Sequence, residues 1–196
     1  MRDLPSRLAP HLLPDPGPVH APQDARLAAV LLPLYHAKGE WQLLYTRRTD
    51  TVESHRGQVS FPGGMVEERD ATPRETALRE AEEEIGLDPA KVRILGSLDP
   101  MLTITQFQVI PFVGVIPWPT ELRISTQEVA TVFGVPLSWL LQEDNLEVRI
   151  QPEASLGLRE AVHAFRPYQG EVIWGATARI TLDLLRRLRS AGFTGN

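Results

Sequence analysis

Apolar and polar residues alternate in blocks along the chain, and these blocks predict strands and helices. Nearly continuous apolar runs such as residues 27–35 are typical of strands buried in a sheet. The polar break at Ala37-Lys38-Gly39 is typical of a hairpin turn that joins this run to the next one. The strands predicted in this way are residues 27–35, 41–46, 92–98, 107–116 and 131–135.

One segment between these strands carries signals for both the start and the end of a helix. Thr72 is suited to be the N-cap, Pro73 to be the first helical residue, and Glu75 to complete a capping box. Gly86 is suited to end the helix, because glycine readily adopts the left-handed conformation that follows a last turn. These signals predict a helix over residues 73–85.

A second helix is predicted near the end of the sequence, over residues 175–190. Arginines near its C-terminus interact favourably with the helix dipole. Its apolar stripe consists of Ile180, Leu184, Leu185 and Leu188. Strands interleaved with two packing helices predict a layered α/β (α+β) domain around a mixed sheet.

Residues 1–25 differ from the rest because proline recurs throughout them. Proline lacks a backbone donor and fixes φ, which disfavours both a helix and a central strand. We therefore predict a proline-rich, extended N-terminal arm over residues 1–25 and a single domain over residues 26–196. The prolines concerned are Pro5, Pro10, Pro14, Pro16, Pro18 and Pro22.

Composition and charge exclude several classes of protein. The chain has 196 residues, of which 42% are hydrophobic, as in ordinary globular proteins. A formal net charge of -5 leaves no broad basic surface for nucleic acid. Cysteine is absent, which removes disulfides, thiolate metal sites and cysteine nucleophiles. Without a bilayer-length apolar run or a signal-peptide pattern, we expect a cytoplasmic protein that has no membrane partner.

Candidate chemistry lies on the first predicted helix. Glu80, Glu83 and Glu84 are spaced so that their carboxylates project from one helix face. Such like charges cost about 0.2–0.5 kcal/mol per pair, and hard divalent cations, which prefer oxygen ligands, would offset this cost. Arg79 can hold one of these carboxylates by a charge-assisted hydrogen bond. The alternative is a solvated acidic face, and this is our interpretation of Glu82.

The segment from Gly64 to Leu87 resembles the Nudix box, in which a glycine and an acidic residue precede Arg-Glu-aliphatic-any-Glu-Glu-any-Gly-aliphatic. The acidic position falls on Asp70, which is one residue further from Arg79 than in the pattern, so its role stays open. The residues that match in register are Arg79, Glu80, Glu83, Glu84, Gly86 and Leu87, with Ala81 at the aliphatic position.

The sequence upstream of the box resembles the coenzyme A pyrophosphatase branch of the Nudix family. That branch is also similar in its longer box and in a stretch like residues 173–179. Tyr45, Thr49 and Glu53 depart from the branch pattern, which has Ser or Ala at the position of Thr49 and a basic residue at that of Glu53. The residues that fit are Leu44, Thr46, Arg48, Gly57, Phe61, Pro62, Gly63 and Gly64.

The resemblance implies a Nudix-like α/β/α sandwich with a mixed sheet between helices. It implies hydrolysis of coenzyme A at its diphosphate, which gives 4'-phosphopantetheine and adenosine 3',5'-bisphosphate. It further implies that Glu80 and Glu84 hold Mg²⁺ or Mn²⁺, with Glu83 sharing the ligation or accepting a proton. An ion held in this way bridges phosphate oxygens and lowers the pKa of a bound water.

Further candidate residues surround this centre. Glu128 is the candidate general base, with an ordinary loop carboxylate as the alternative. Arg48 and Arg56 are expected to contact phosphates through their guanidinium groups. Gln58 and Phe61 are expected to shape the substrate pocket, with a place in the core as the alternative for Phe61. The substrate-binding loop is expected to contain Gly63 and Gly64, which permit its bend.

Two other functions stay open. One is a Nudix hydrolase that acts on another nucleoside diphosphate derivative, such as ADP-ribose. The other is a non-catalytic nucleotide-binding module, against which the intact Glu80, Glu83 and Glu84 argue. In each case the partner is a small molecule, and assembly as a homodimer is left open.

Overall fold

The computed structural model describes residues 3–20, 24–49, 57–152 and 159–195, and a mixed eight-stranded sheet forms its centre. The strands of this sheet are β1 Arg26–Ala37, β2 Glu40–Arg48, β3 Val59–Ser60, β4 Gly63–Met65, β5 Arg93–Ser97, β6 Met101–Leu102, β7 Phe107–Val115 and β8 Val129–Pro136. Their order is β3-β2-β1-β7-β5, while β4 pairs with β1, β6 with β7 and β8 with β2. All five predicted strands are present, and their ends differ from the prediction by one or two residues.

The remaining elements lie on or beside this sheet. None of the described helices is long and apolar enough to cross a membrane. A separate antiparallel hairpin, which the sequence did not predict, consists of two further strands. These elements are α1 Leu4–Leu8, α2 Pro73–Ile85, α3 Leu137–Leu140, β9 Leu146–Pro152, β10 Arg159–Phe165 and α4 Gly175–Ser190.

Strand β1 explains why the sheet is mixed. It pairs in parallel with β7 along nearly its whole length and antiparallel with β2. Lys38 and Gly39 join β1 to β2 with φ values of 53° and 85°, as the favoured two-residue hairpin turn requires. The predicted hairpin is therefore confirmed.

Alternate residues of β1 face opposite sides of the sheet, and each side packs against helices. Leu32 and Leu34 belong to one buried cluster, which also contains apolar residues of α1 and α4. Leu31 and Tyr35 belong to the other cluster, which contains the apolar side of α2. The predicted fold class, helices on both sides of a mixed sheet, is confirmed.

The N-terminal segment corrects one prediction. Residues 4–8 form the helix α1, whereas the prolines had predicted an extended arm with neither a helix nor a central strand. Pro5 lies in the first turn, where a missing N–H breaks no helical hydrogen bond. Leu4 and Leu8 are buried against α4, and Leu13 forms a bridge with Ser97 of β5. This part of the arm is thus packed on the domain rather than extended.

Candidate active site

Helix α2 has the predicted limits, and its caps fix where its carboxylates lie. The Thr72 hydroxyl accepts a hydrogen bond from the Glu75 N–H at 3.3 Å, and Gly86 has a φ of 66°. The return arm of the predicted capping box differs, because the Glu75 carboxylate accepts from the N–H of Ala71 at 2.9 Å. The apolar side of the helix consists of Ala77, Ala81 and Ile85, which are fully buried.

Glu84 is the most unusual of these acidic residues, because it is buried, with an exposed fraction of 3%. The N–H of Gly63 donates to its carboxylate, and Arg48 Nη1 lies 3.7 Å from Glu84 Oε1. Among the described residues, Glu84 Oε2 has no hydrogen-bond partner. Burial raises the pKa of Glu84 to about 8, against the lowering effect of Arg48. This carboxylate is therefore poorly satisfied by the protein alone.

Gly63 and Gly64 begin strand β4, whereas the sequence predicted a loop at these positions, and they bring backbone close to the helix and to the sheet. A Cβ atom on Gly63 would lie 2.3 Å from the carbonyl oxygen of Ala29, so only glycine fits this pairing with β1. A Cβ atom on Gly64 would lie 2.5 Å from the carboxylate carbon of Glu80. The start of β4 therefore lies directly beside the half-buried Glu80, and a role of the two glycines in substrate binding stays a prediction.

Arg79 links three carboxylates. It donates to both oxygens of Asp70, at 2.9 and 3.0 Å. Its Nη1 also donates to Glu80 at 2.8 Å and to Glu83 at 2.9 Å. Burial raises the pKa of Glu80, and the hydrogen bond from Arg79 opposes that rise. Arg79 therefore orients the two Nudix-box glutamates to which it donates.

Asp70 is a site residue whose role the sequence left open. Besides Arg79, it receives a hydrogen bond from the Thr76 hydroxyl at 2.9 Å and one from the Glu67 N–H at 3.0 Å. The hydrogen bond from Arg79 is the main cause that lowers the pKa of Asp70 to about 2. The shifted spacing concealed this role, although an acidic residue ahead of an Arg-Glu pair was a usable signal.

Glu128 lies on a loop that is attached to the end of α2. The N–H groups of Arg123 and Ser125 donate to the carbonyls of Ile85 and Glu84, at 2.8 and 2.9 Å. The Glu128 charge contributes to the raised pKa values of Glu80 and Glu84, so its carboxylate is close enough to repel theirs. The attachment of the loop therefore places this distant candidate at the end of the helix that carries the Nudix-box glutamates, and its role as base remains a prediction.

The remaining predicted binding residues have different positions. Phe61 is 3% exposed and stacks on Tyr45 with ring centroids 4.8 Å apart, so it is a core residue and does not line a pocket. The Gln58 carbonyl accepts a hydrogen bond from the Arg48 N–H at 3.0 Å, which places Gln58 beside the site. Arg56 lies outside the described residues.

The donor set fits a hard divalent cation. Glu84 offers a buried oxygen without a hydrogen-bond partner in the described structure, and only one oxygen of Glu80 is engaged by Arg79. Carboxylate oxygens are the ligands that Mg²⁺ prefers. In the described ranges, no three acidic or histidine side chains already converge as one metal-binding group. A cation would therefore have to compete with Arg79 for Glu80 and Glu83.

Comparison with known proteins gives matches to one family. The NUDIX domain family model matches residues 25–155. A relative from Photorhabdus laumondii, named "Uncharacterized Nudix hydrolase NudL", is 40% identical over 177 residues, or 89% of this chain and 91% of the relative. A relative of the same name from Enterobacter sp. is 40% identical over 165 residues, or 82% of each chain.

Comparison with a solved structure supports the same fold. A MutT/nudix family protein from Enterococcus faecalis superposes with a TM-score of 0.53 and 14% identity, over 88% of this chain and 65% of that one. Nudix hydrolases use divalent metal ions and act on small nucleotide substrates. With the family match over most of its length and relatives of 40% identity, the chain belongs to the Nudix hydrolase family and is a pyrophosphatase.

Proposed function

We propose that this enzyme hydrolyses the diphosphate bond of coenzyme A or its derivatives, with Mg²⁺ or Mn²⁺ as the metal ion. The observation that carries the proposal is the contact between Arg48 and Glu84, with Nη1 and Oε1 3.7 Å apart. Arg48 belongs to the pattern that resembles the coenzyme A pyrophosphatase branch, and Glu84 belongs to the Nudix box. A residue of the branch pattern and a residue of the Nudix box are therefore in contact.

Arg48 has hydrogen-bonding capacity that a phosphate would use. Its Nε is buried and, within the described structure, has no acceptor. A guanidinium group matches the geometry of phosphate oxygens, and a chain with a net charge of -5 needs local cations to bind a diphosphate. Arg48 and the metal ion together would supply that positive charge.

The chemistry follows from the carboxylates. When bound by Glu84 and Glu80, the metal ion supplies charge neutralisation and a more acidic water. Arg79 keeps Glu80 and Glu83 in place through its hydrogen bonds. A water oxygen bonds to one phosphorus and the bridging P–O bond breaks, while the Glu128 carboxylate takes the water's proton. The products are 4'-phosphopantetheine and adenosine 3',5'-bisphosphate.

The proposal is tested by incubating the purified protein with coenzyme A and Mg²⁺ or Mn²⁺ and identifying the products by mass. We expect 4'-phosphopantetheine and adenosine 3',5'-bisphosphate as the products, and no turnover in the presence of a chelator. A panel with ADP-ribose, a dinucleotide and an oxidised nucleoside triphosphate gives the relative kcat/KM. A higher kcat/KM for ADP-ribose than for coenzyme A would show that coenzyme A is the wrong substrate, while the proposed hydrolysis of a diphosphate bond would still stand. If the panel contains no substrate, the proposed reaction itself is wrong.

A further inference from the structure

The loop that carries Glu128 is held at two places. At one side, the N–H groups of Arg123 and Ser125 bind the last carbonyls of α2, as described above. At the other side, Thr49, which follows β2, donates two hydrogen bonds to the loop. Its N–H donates to the Glu128 carbonyl at 2.9 Å, and its hydroxyl donates to the Gln127 carbonyl at 2.9 Å.

Electrostatics alone would not keep Glu128 in this position. Its side chain is exposed, and its loop is hydrogen-bonded to the end of the helix that carries Glu80 and Glu84, so like charges lie in one region. Like charges move apart unless the backbone that carries them is fixed. The hydrogen bonds to the neighbouring carbonyls supply that restraint, because they bind the backbone and leave the Glu128 carboxylate free.

Thr49 is suited to this task by its burial and by its chemistry. It is 9% exposed, so its hydrogen bond to Gln127 is shielded from competing water. The coenzyme A branch pattern has Ser or Ala at this position, so a hydroxyl is not required by the pattern as such. The threonine therefore gives this chain a second hydrogen bond to the loop, in addition to the backbone hydrogen bond that every residue except proline can make.

We propose that Thr49 is a positioning residue, whose hydroxyl fixes the Gln127–Glu128 backbone so that the Glu128 carboxylate stays beside Glu80 and Glu84. The proposal rests on the proposed function, because it assumes that Glu128 is the base. It assigns to Thr49 an effect on turnover rather than on substrate binding.

The test compares Thr49→Val with Thr49→Ser. Valine keeps the shape and the backbone N–H but lacks the hydroxyl, whereas serine keeps the hydroxyl. We expect Thr49→Val to lower kcat about tenfold with KM unchanged, as is typical when a residue that orients a catalytic group is lost. Thr49→Ser should restore kcat to within about twofold of the original enzyme, an effect that a purely structural role of the threonine methyl group would not show.

A double-mutant cycle shows whether Thr49 acts through Glu128. In a Glu128→Gln background, Thr49→Val should have no further effect on kcat, because the group that it positions is gone. Ser97→Ala is the matched control, since it removes another buried hydroxyl that donates to a carbonyl, that of Pro14 at 3.1 Å. This control variant should keep the original kcat.

Each outcome has a separate meaning. If the original protein cleaves coenzyme A or another diphosphate of the panel and Thr49→Val matches its kcat, Thr49 has no positioning role. The same conclusion follows if the losses from Thr49→Val and Glu128→Gln simply multiply. If the original protein cleaves no diphosphate, the proposed function has failed instead. Cleavage of ADP-ribose alone changes the substrate, and the cycle is then measured with ADP-ribose.

Discussion

Two ion pairs of the active site, Asp70–Arg79 and Glu84–Arg48, are built differently. Asp70 and Arg79, 4% and 15% exposed, share two hydrogen bonds, and Asp70 receives two more from its neighbours. Glu84 and Arg48 lie 3.7 Å apart, and within the described structure Glu84 Oε2 and Arg48 Nε have no hydrogen-bond partner. The protein supplies hydrogen-bond partners for both members of the first pair, but it leaves one atom on each member of the second pair without a partner.

This difference indicates which pair serves the fold and which serves the ligand. A buried polar atom without a partner costs about 1–3 kcal/mol, and more if it is charged. Such a cost is typical of functional sites, where bound ligands supply the missing contacts. The Asp70–Arg79 pair therefore acts as the fixed support of the site, and the Glu84–Arg48 pair is where a metal ion and a phosphate would gain most.

The largest expected effect comes from Glu84→Gln, which removes the unsatisfied charge. We expect kcat/KM to fall by at least about a thousandfold, because several kcal/mol of charge stabilisation by the metal ion are lost. The free energy of unfolding of the metal-free protein should not fall, because a buried and poorly paired carboxylate is costly. Steady-state kinetics and urea unfolding measure the two effects.

Glu82→Gln is the control for that variant, because Glu82 lies on the same helix and is exposed. It should leave both activity and stability unchanged. Full activity of Glu84→Gln, or a large loss of its stability, would remove the distinction between the two ion pairs.

Asp70→Asn is expected to lower activity less, and stability more, than Glu84→Gln does. The variant keeps the shape of the side chain but loses the charge that holds Arg79. We expect a loss of about 2–3 kcal/mol in the free energy of unfolding, since the pair is largely buried. Activity should fall about 10- to 100-fold, as Glu80 and Glu83 lose their orientation.

The exposed pair of Arg69 and Glu67, 2.8 Å apart, provides the comparison for Asp70→Asn. Glu67→Gln should change the free energy of unfolding by less than about 0.5 kcal/mol, because solvent screens this pair. Equal losses in the two variants would show that the Asp70–Arg79 pair is not a support of the site.

The third expected effect is on the pH dependence of stability and of metal binding. The pKa of Glu84 is raised from its ordinary 4.5 to about 8, so the folded protein binds more protons than the unfolded chain between these values. The stability of the metal-free protein should therefore fall as pH rises through this interval. Asp70, with its pKa lowered from 3.8 to about 2, stabilises the protein above 3.8 and loses this effect as pH falls toward 2.

Metal binding should follow the opposite course, because a cation needs the ionised carboxylate of Glu84. Below pH 8, the apparent affinity for Mn²⁺ should weaken by up to about tenfold per pH unit, and above it the affinity should level off. Calorimetric titration with Mn²⁺ and urea unfolding of the original protein and Glu84→Gln, each over a pH series, measure both trends. A flat affinity across the series would contradict the assignment of Glu84 as a ligand.

Sequence reasoning succeeded where local signals decide the structure. Thr72, Pro73 and Gly86 define the limits of α2 through contacts within a few residues, so they could be read directly. The glutamates of the box were predicted in the same way, from spacing on one helix, and their catalytic role stays a prediction. The same reasoning failed for Pro5, because the rule against proline in helices does not apply to a first turn.

Long-range contacts explain what the sequence could not predict. Glu83 and Glu84 are neighbours on one helix, yet Glu83 is exposed and Glu84 is buried, because other segments pack over only one of them. The loop before β8 is attached to α2 through backbone groups, which every sequence possesses. No residue pattern therefore predicts where Glu128 lies relative to α2. Phe61 was ambiguous for a related reason, since its burial depends on Tyr45 from a different strand.

The packing of α1 has a consequence for the order in which parts of the fold can form. Leu4 and Leu8 share a buried cluster with Leu184 and Leu188, and Arg7 donates to the carbonyl of Ala191. A ribosome makes α1 before α4, so the leucines of α1 stay without these partners until α4 has been synthesised. The docking of α1 therefore has to wait for the helix that covers it.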